Sequence, residues 1–261
     1  MLTATIQGIK IRYDRLGSGD PLILIHGLGE RKEGWEQQYP LADTFDLIIP
    51  DLRGHGQSEG AEAISIENFA RDILHLMDDL GLEQAHICGL SMGGVIAQEL
   101  YRQVPARCQS LILVNTYYFV PWMAREILYH LEMWKLNFLP KALRMRLAAY
   151  TCLYSLDEQI IKRFHRSIAP ERTSYTRSVA SCLEVDNRRL LPTITVPTLI
   201  IGSDFDLLTP WWIQVFMHQA IPNSELVLIR NAGHMAKLER PEKFNTVIRR
   251  FLEKQKSQVA E

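Results

Sequence analysis

One eleven-residue stretch, Ala85-His-Ile-Cys-Gly-Leu-Ser-Met-Gly-Gly-Val95, limits what this chain can fold into more than any other. His86-Ile87-Cys88 reads as the end of a short buried strand and Val95 to Tyr101 as a helix, so strand must become helix within Gly89-Leu90-Ser91-Met92-Gly93. A turn that abrupt forces its corner residue into a strained backbone and holds the side chain out at the tip. Glycines two positions before and two after Ser91 remove the Cβ atoms that would clash as the two arms pass. Ser91 is therefore expected to be presented rather than buried. The Met92 amide opens a helix over 92–104, has no acceptor inside it, and is free to hold a developing negative charge beside the hydroxyl. Taken alone, G-x-S-x-G also suits a Gly/Ser turn that merely caps a helix, so its meaning depends on what else the chain brings to Ser91.

The preceding chain alternates strand and helix. Residues 3–15 suggest a β-hairpin turning near Gly8, and Gly17 to Pro21 breaks the chain. Pro21-Leu-Ile-Leu-Ile25 is an uninterrupted apolar run, as in a strand buried on both faces of a parallel sheet. It stops at His26-Gly27-Leu28-Gly29, where the Leu28 amide would point off the end of the sheet. That is a Gly-rich turn or, beside a true nucleophile, the second donor of an oxyanion hole. A helix over 32–42, an apolar strand at Phe45–Pro50 and a tight turn at Arg53–Ser58 follow; His55, between two glycines, reads as loop-shaping. Ser65 opens a helix to Leu80, with Phe69, Ile73, Leu76, Met77 and Leu80 at helical spacing, and Gly81 stops it. With the strand Ser110–Asn115, the alternation predicts the α/β class: a doubly wound, mostly parallel sheet covered by helices on both faces.

The rhythm changes at Thr116. Residues 117–190 carry no convincing strand and read as an all-helical insert of three or four helices, leaving 1–116 and 191–261 as the core. Ile127, Leu128, Leu131 and Trp134, then Leu143, Leu147 and Tyr150, then Ile160, Ile161 and Phe164 recur three and four apart. Ser155-Leu-Asp-Glu158 reads as a capping box, and Pro140 and Pro170 as helix starts. The insert holds twelve Lys/Arg against seven Asp/Glu, a balance of +5 that leaves −6 for the rest of the −1 chain. This is a solvated helical surface, or cations that favour an anionic substrate. Alternation resumes with a strand at Val196–Ile201, a loop at Gly202–Pro210, a helix over 211–220, a strand at Glu225–Ile229 and a loop at Asn231–His234. Pro241 to about Lys254 reads as the closing helix, with Gln255 to Glu261 fraying.

With 261 residues, 47% of them hydrophobic, a sizeable core is available, and the near-zero net charge suggests neither nucleic acid nor a polyanion as partner. The N-terminal residues lack a secretion-signal pattern and no run is long and apolar enough for a membrane span, so the expectation is a cytoplasmic protein without membrane contact, monomeric or homodimeric. Cys88, Cys108, Cys152 and Cys182 show no metal-ligand spacing and read as reduced and mostly buried; no metal or organic cofactor is implied.

Each reactive candidate lies just after a predicted strand, where open parallel sheets place their sites. A serine hydroxyl needs a base to take its proton, and the base needs a carboxylate to fix its tautomer. His234 is the only histidine just after the last strand, and Asp206 follows the strand before it. In this order, Ser91, Asp206, His234, and in HGLG at 26–29, RGHGQS at 53–58, GLSMGG at 89–94, DLLTP at 206–210 and GH at 233–234, the chain resembles the α/β-hydrolase superfamily over essentially its whole length. The resemblance implies that Ser91 is the nucleophile, His234 the general base and then acid, and Asp206 the orienting carboxylate, with the amides of Leu28 and Met92 as the oxyanion hole and 117–190 as the cap. Asp204 is a rival acid; Asn115, where some members carry the acid, supplies no charge.

The chain looks most like the carboxylesterase and oxoadipate enol-lactonase branch, GLSMGGVIAQEL in particular, which implies a serine hydrolase acting on a small ester or lactone. A carbon–carbon bond hydrolase of ring-cleavage products shares the fold and triad, but its members usually carry a tryptophan close after the histidine, where this chain has Met235-Ala-Lys-Leu. A ligand receptor or signalling protein on a hydrolase scaffold is the third alternative. Trp122, Met123, Tyr129, Trp134, Phe138, Met145 and Tyr154 either line an apolar pocket or, as is more usual at helical spacing, pack between cap helices and sheet.

Overall fold

The uninterrupted apolar runs become the central strands of one eight-stranded sheet. The computed structural model describes residues 1–259. The hairpin β1 (Leu2–Ile6) and β2 (Ile9–Leu16) leads to β3 (Asp20–Ile25) and β4 (Phe45–Pro50). Helix α1 (Ile66–Asp79), β5 (Ala85–Leu90), α2 (Met92–Gln103) and β6 (Cys108–Val114) follow. Four helices then intervene: α3 (Trp122–Phe138), α4 (Lys141–Cys152), α5 (Glu158–Ser167) and α6 (Arg172–Leu183). The chain returns through β7 (Thr198–Ser203), α7 (Trp211–Ala220), β8 (Ser224–Ile229), the short α8 (Ala236–Glu239) and α9 (Pro241–Val259).

The strand order is β1-β2-β4-β3-β5-β6-β7-β8, antiparallel from β1 to β4 and parallel from β4 to β8. Side chains alternate along a strand, so each inner strand feeds two cores. Ile23, Ile25, Ile87, Leu111, Leu113 and Ile200 join α1 and α2 on one face. Leu22, Leu24, Cys88, Ile112, Val114, Leu199 and Ile201 meet Trp35 and the α9 residues Phe244, Ile248 and Phe251 on the other. This double burial is why the strands read as continuous rather than alternating apolar runs. From β3 the chain steps outward to β4, then crosses back to β5 on β3's other side. The crevice beyond the ends of β3 and β5 is therefore the topological switch point where sheets of this kind bind ligands.

Local signals set most boundaries. Ser65 caps α1 by accepting the Asn68 amide at 3.1 Å. The helix expected over 32–42 is a 3₁₀ helix spanning Lys32–Asp43, with Pro40 inside it; proline lacks the N–H an α-helix needs and crowds the preceding turn. The capping box expected at Ser155 does not form. Asp157 is the N-cap of α5, accepting the Gln159 and Ile160 amides at 2.9 and 3.2 Å, while the Ser155 hydroxyl accepts the Asp157 amide at 3.3 Å. A carboxylate at the positive end of a helix outcompetes the hydroxyl. Pro140 is the N-cap of α4, whereas α6 is capped by Glu171, one residue beyond Pro170. The closing helix runs past Lys254 to Val259, so 255–259 are helical rather than frayed; Ala260 and Glu261 lie outside the described residues.

The largest departure is α3, none of whose residues is buried. Its regular stripe faces solvent, with Ile127 70%, Trp134 51% and Phe138 70% exposed. Glu132, which accepts the Tyr175 hydroxyl of α6 at 3.3 Å, marks its packed side. By contrast Phe164 of α5 is fully buried. No helix among the described residues is long and apolar enough to cross a membrane.

Candidate active site

Ser91 sits at the corner between β5 and α2 with φ 54° and ψ −118°, a left-handed conformation rare for a residue with a side chain. The corner closes only because its neighbours lack Cβ atoms. A Cβ on Gly89 would lie 2.1 Å from the Gly93 carbonyl oxygen, one on Gly93 2.3 Å from the Ile25 oxygen, and one on Gly94 2.6 Å from the Thr116 side chain. Hydrogen bonds fix the corner to the end of β6: the Ser91 amide donates to the Val114 carbonyl at 2.9 Å, and the side-chain hydroxyl of Thr116, two residues on, donates to the Ser91 carbonyl at 2.6 Å. The side chain is partly exposed, as expected.

Asp206 and His234, 28 residues apart, meet beyond the ends of the adjacent strands β7 and β8, the imidazole Nδ1 donating to Asp206 Oδ2 at 2.8 Å. An ionised carboxylate only accepts, so Nδ1 carries the proton and Nε2 is left as the acceptor. Asp206 Oδ1 also accepts the amides of Leu208 and Thr209 at 2.8 and 2.9 Å, and Oδ2 the Thr209 hydroxyl at 2.7 Å. Burial alone would raise this carboxyl's pKa, but the charge and hydrogen bond of His234 and the Thr209 donors outweigh it and hold Asp206 below the usual carboxylate value. The acid stays ionised and keeps the His234 proton on Nδ1. Asp204, the rival, instead accepts the Ala232 amide at 3.2 Å.

The histidine loop is tied to the serine corner through Asn115, whose side-chain amide donates to the His234 carbonyl at 2.8 Å and the Gly233 carbonyl at 3.3 Å. Asn115 directly follows the residue that holds the Ser91 amide, so both candidates hang from one strand end. Among the described residues the Ser91 hydroxyl has no hydrogen-bond partner, His234 included; such contacts are commonly long in free enzymes and tighten when substrate binds. Glu239 is a second brace: one oxygen accepts the Tyr154 and Ser155 amides at 2.9 and 2.8 Å, the other the Gly233 amide at 2.7 Å. Neither brace was expected from the sequence. The one available sign was an asparagine after an apolar strand, since Asn115 adopts φ 38°, a region asparagine tolerates well.

Opposite lies the turn after β3. The Leu52 amide donates to His26 Nε2 at 3.1 Å, so Nδ1 carries the proton and donates to the Gly27 carbonyl at 2.8 Å. Burial, with His55 alongside, keeps His26 far below the usual imidazole pKa and therefore neutral. Gly27 abuts the corner: a Cβ there would lie 3.6 Å from Ser91 Cβ. Leu28 follows Gly27 and Met92 follows Ser91, and among the described residues neither amide donates to a protein acceptor.

Other candidates fall away from the site. His55 is buried beside Phe69, and its Nδ1 donates to the Arg53 carbonyl of its own loop at 3.0 Å. Cys88 is fully buried within β5, and burial pushes its thiol pKa up, which leaves it inert. None of the seven cap residues singled out is buried; Trp122, Met123, Trp134, Phe138 and Tyr154 are exposed, and Tyr154 lies against Phe205, next to Asp206, at 4.5 Å between ring centroids. An open cavity of about 740 Å³ is lined instead by Arg102, Asp186, Arg188, Arg189, Leu190 and Thr193, none of them a site candidate. No group of His, Cys, Asp or Glu among the described residues is arranged to hold a metal ion.

Comparison with known proteins agrees with this fold. The chain is 29% identical over 236 residues to 3-oxoadipate enol-lactonase 1 of Acinetobacter baylyi, covering 88% of each. It is 32% identical over 260 residues to a Mycobacterium tuberculosis protein with the provisional name non-heme bromoperoxidase BpoC, covering 93% of this chain and 97% of that one. Its structure matches a thermophilic esterase from Thermogutta terrifontis with a TM-score of 0.88 at 27% identity, covering 97% and 98% of the two chains. The profile of the family described as alpha/beta hydrolase fold matches residues 20–241, and the chain belongs to that family.

Proposed function

We propose that this hydrolase cleaves a small carboxylic ester or lactone through an acyl-enzyme on Ser91. The observation that carries the reading is the buried Asp206–His234 hydrogen bond of 2.8 Å, whose loop Asn115 ties to the same strand end that holds the strained, partly exposed Ser91. In the first step His234 Nε2 takes the Ser91 proton as the hydroxyl oxygen attacks the carbonyl carbon. The resulting oxyanion is held by the amides of Leu28 and Met92, and the imidazolium by Asp206. His234 then returns its proton to the leaving alcohol, or to the ring oxygen of a lactone, and activates the water that releases the acid. Helices α3–α6 act as the cap, and the +5 charge of 117–190 suits a substrate that itself bears a carboxylate. The enol-lactonase and esterase relatives support the same reaction class.

The test is hydrolysis of nitrophenyl esters from acetyl to palmitoyl by wild type and Ser91→Ala in parallel. Activity that peaks at short acyl chains and disappears in the variant is expected. Turnover unchanged in Ser91→Ala would end the proposal. Labelling of Ser91 by a fluorophosphonate without turnover of any ester or lactone would retain the nucleophile and redirect the substrate class to carbon–carbon cleavage.

A further inference from the structure

Two charged residues that this reaction does not consume lie buried between the two halves of the site. The Lys237 side chain is 0% exposed and that of Glu30 4%. The ammonium lies 3.0 Å from one carboxylate oxygen of Glu30 and 3.3 Å from the other, and 4.0 Å over the Trp35 ring. That second oxygen also accepts the Gly27 amide at 2.8 Å. Gly34 makes room for the pair, since a Cβ there would lie 2.6 Å from the Glu30 carboxylate and 3.0 Å from the ammonium.

Resting on the serine-hydrolase reading above, we propose that Glu30 and Lys237 are positioning residues: one buried ion pair that keeps the Gly27–Leu28 turn and the His234 loop in register across the reacting carbonyl. Glu30 and Gly27 close a turn on each other, the Glu30 amide donating to the Gly27 carbonyl at 3.2 Å while the Glu30 carboxylate takes the Gly27 amide. Leu28, the candidate oxyanion donor, is inside that turn, so its N–H direction is set by the closure. Lys237 follows His234 by three residues, and its own carbonyl accepts the Gln38 side-chain amide at 3.1 Å. The ammonium thus reaches from α8, directly after the histidine loop, to the carboxylate that closes the donor turn.

A buried ion pair is a poor device for stability, because well-packed apolar residues of the same volume do as well or better. It is a good device for register, because either charge without its partner is strongly disfavoured in a dry interior. The two loops are 207 residues apart in sequence and are joined here by charge rather than by backbone. A displacement of either one separates the pair, so the correct placement of His234 and that of the Leu28 amide become a single condition.

Glu30→Asp tests this with the least disturbance: it keeps a charge for Lys237 but withdraws the oxygen from the Gly27 amide by one methylene. Lys237→Met, alone and combined with Glu30→Gln, removes the charges while the glutamine oxygen can still take the Gly27 amide. Each variant is titrated with a fluorophosphonate to count intact sites. It is then assayed on nitrophenyl butyrate and with a trifluoromethyl ketone, which forms a tetrahedral oxyanion on the serine. Misplacing one oxyanion donor is expected to lower kcat about 10- to 100-fold with KM within about twofold. The ketone Ki should rise by the same factor as kcat falls in Glu30→Asp and Lys237→Met, and the double variant should recover about tenfold over Lys237→Met. Glu30→Asp with kcat and ketone affinity within about twofold of wild type, per titrated site, overturns the positioning role and leaves the serine-hydrolase reading intact. Wild type that neither labels nor turns over an ester overturns both.

Discussion

Replacing Asp206 by asparagine changes one atom and should nearly abolish turnover while sparing the fold. The reason lies in how the carboxylate is partnered. Oδ1 accepts two backbone amides, Leu208 at 2.8 Å and Thr209 at 2.9 Å, so in Asp206→Asn the amide oxygen must occupy that position. The new NH2 then takes the place of Oδ2, where it can donate to the Thr209 hydroxyl, 2.7 Å away, but also faces His234 Nδ1 at 2.8 Å. Two donors cannot share that contact, so the imidazole must move its proton to Nε2, the nitrogen that has to accept from Ser91. A wrong-tautomer histidine lowers kcat by about 10⁴ in a serine protease triad, about 5.4 kcal/mol on the barrier. Because three of the four carboxylate contacts survive, the stability loss should stay near 1 kcal/mol. Initial rates on nitrophenyl acetate near neutral pH, normalised to folded protein by circular dichroism, measure the first effect, and urea denaturation the second. Asp204→Asn is the control, expected within about twofold of wild type because Asp204 touches the Ala232 amide rather than His234. The reasoning is refuted if Asp206→Asn keeps more than a tenth of wild-type kcat, or if Asp204→Asn is the variant that loses it.

Gly89→Ala sets a Cβ 2.1 Å from the Gly93 carbonyl oxygen and 2.5 Å from the Gly94 nitrogen, both backbone, and should cost at least about 3 kcal/mol; normal soluble yield with a wild-type melting curve would show the corner to be less tight than described. Glu239→Gln can satisfy the Tyr154 and Ser155 amides only by turning its NH2 toward the Gly233 amide, which predicts about 1–3 kcal/mol of destabilisation in urea. Burial lowers the pKa of His26, His55 and His86, the last to about 4, so between pH 6.5 and about 5 the unfolded chain binds more protons than the native one. Stability from these groups is therefore complete above pH 6.5 and lost as pH falls, by up to about 4 kcal/mol per unit if all three act together; Asp51, Asp72 and Glu239, raised by burial, act in the opposite sense. A melting temperature flat from pH 7 to 5 would contradict that assignment. Ile127→Gln, on the solvent-facing stripe of α3, should change stability by under about 0.5 kcal/mol, whereas Phe164→Ala should cost about 3–5 kcal/mol; equal losses in urea would mean that the α3 face is covered in solution.

The central strands were legible because Pro21–Ile25, Phe45–Pro50 and Ser110–Val114 are buried on both faces, which leaves no polar alternation to confuse them with surface strands. The serine corner was legible because its steric demand can be met only by glycines at fixed distances from Ser91, and the Asp206–His234 pairing because a parallel sheet gathers the loops after its adjacent strands at one end. Helical spacing in 117–190 announced three or four helices, of which four form, and misjudged what they cover: periodicity reveals that a helix has an apolar side, while whether that side meets a neighbour depends on how the helices are set against one another. The same limit hid Asp157 as the cap of α5, since two neighbouring acceptors competed and geometry chose. It also hid Glu30, Lys237 and Glu239, charged residues that a sequence reading assigns to the surface. Local chemistry along the chain determined the strands, the serine corner and the order of the candidate residues at the strand ends, because each of those follows from neighbours a few positions away. Which charges could be buried was decided only by the tertiary structure, because a charge leaves water only where the fold brings it a partner, and the partner of Glu30 lies 207 residues further along the chain.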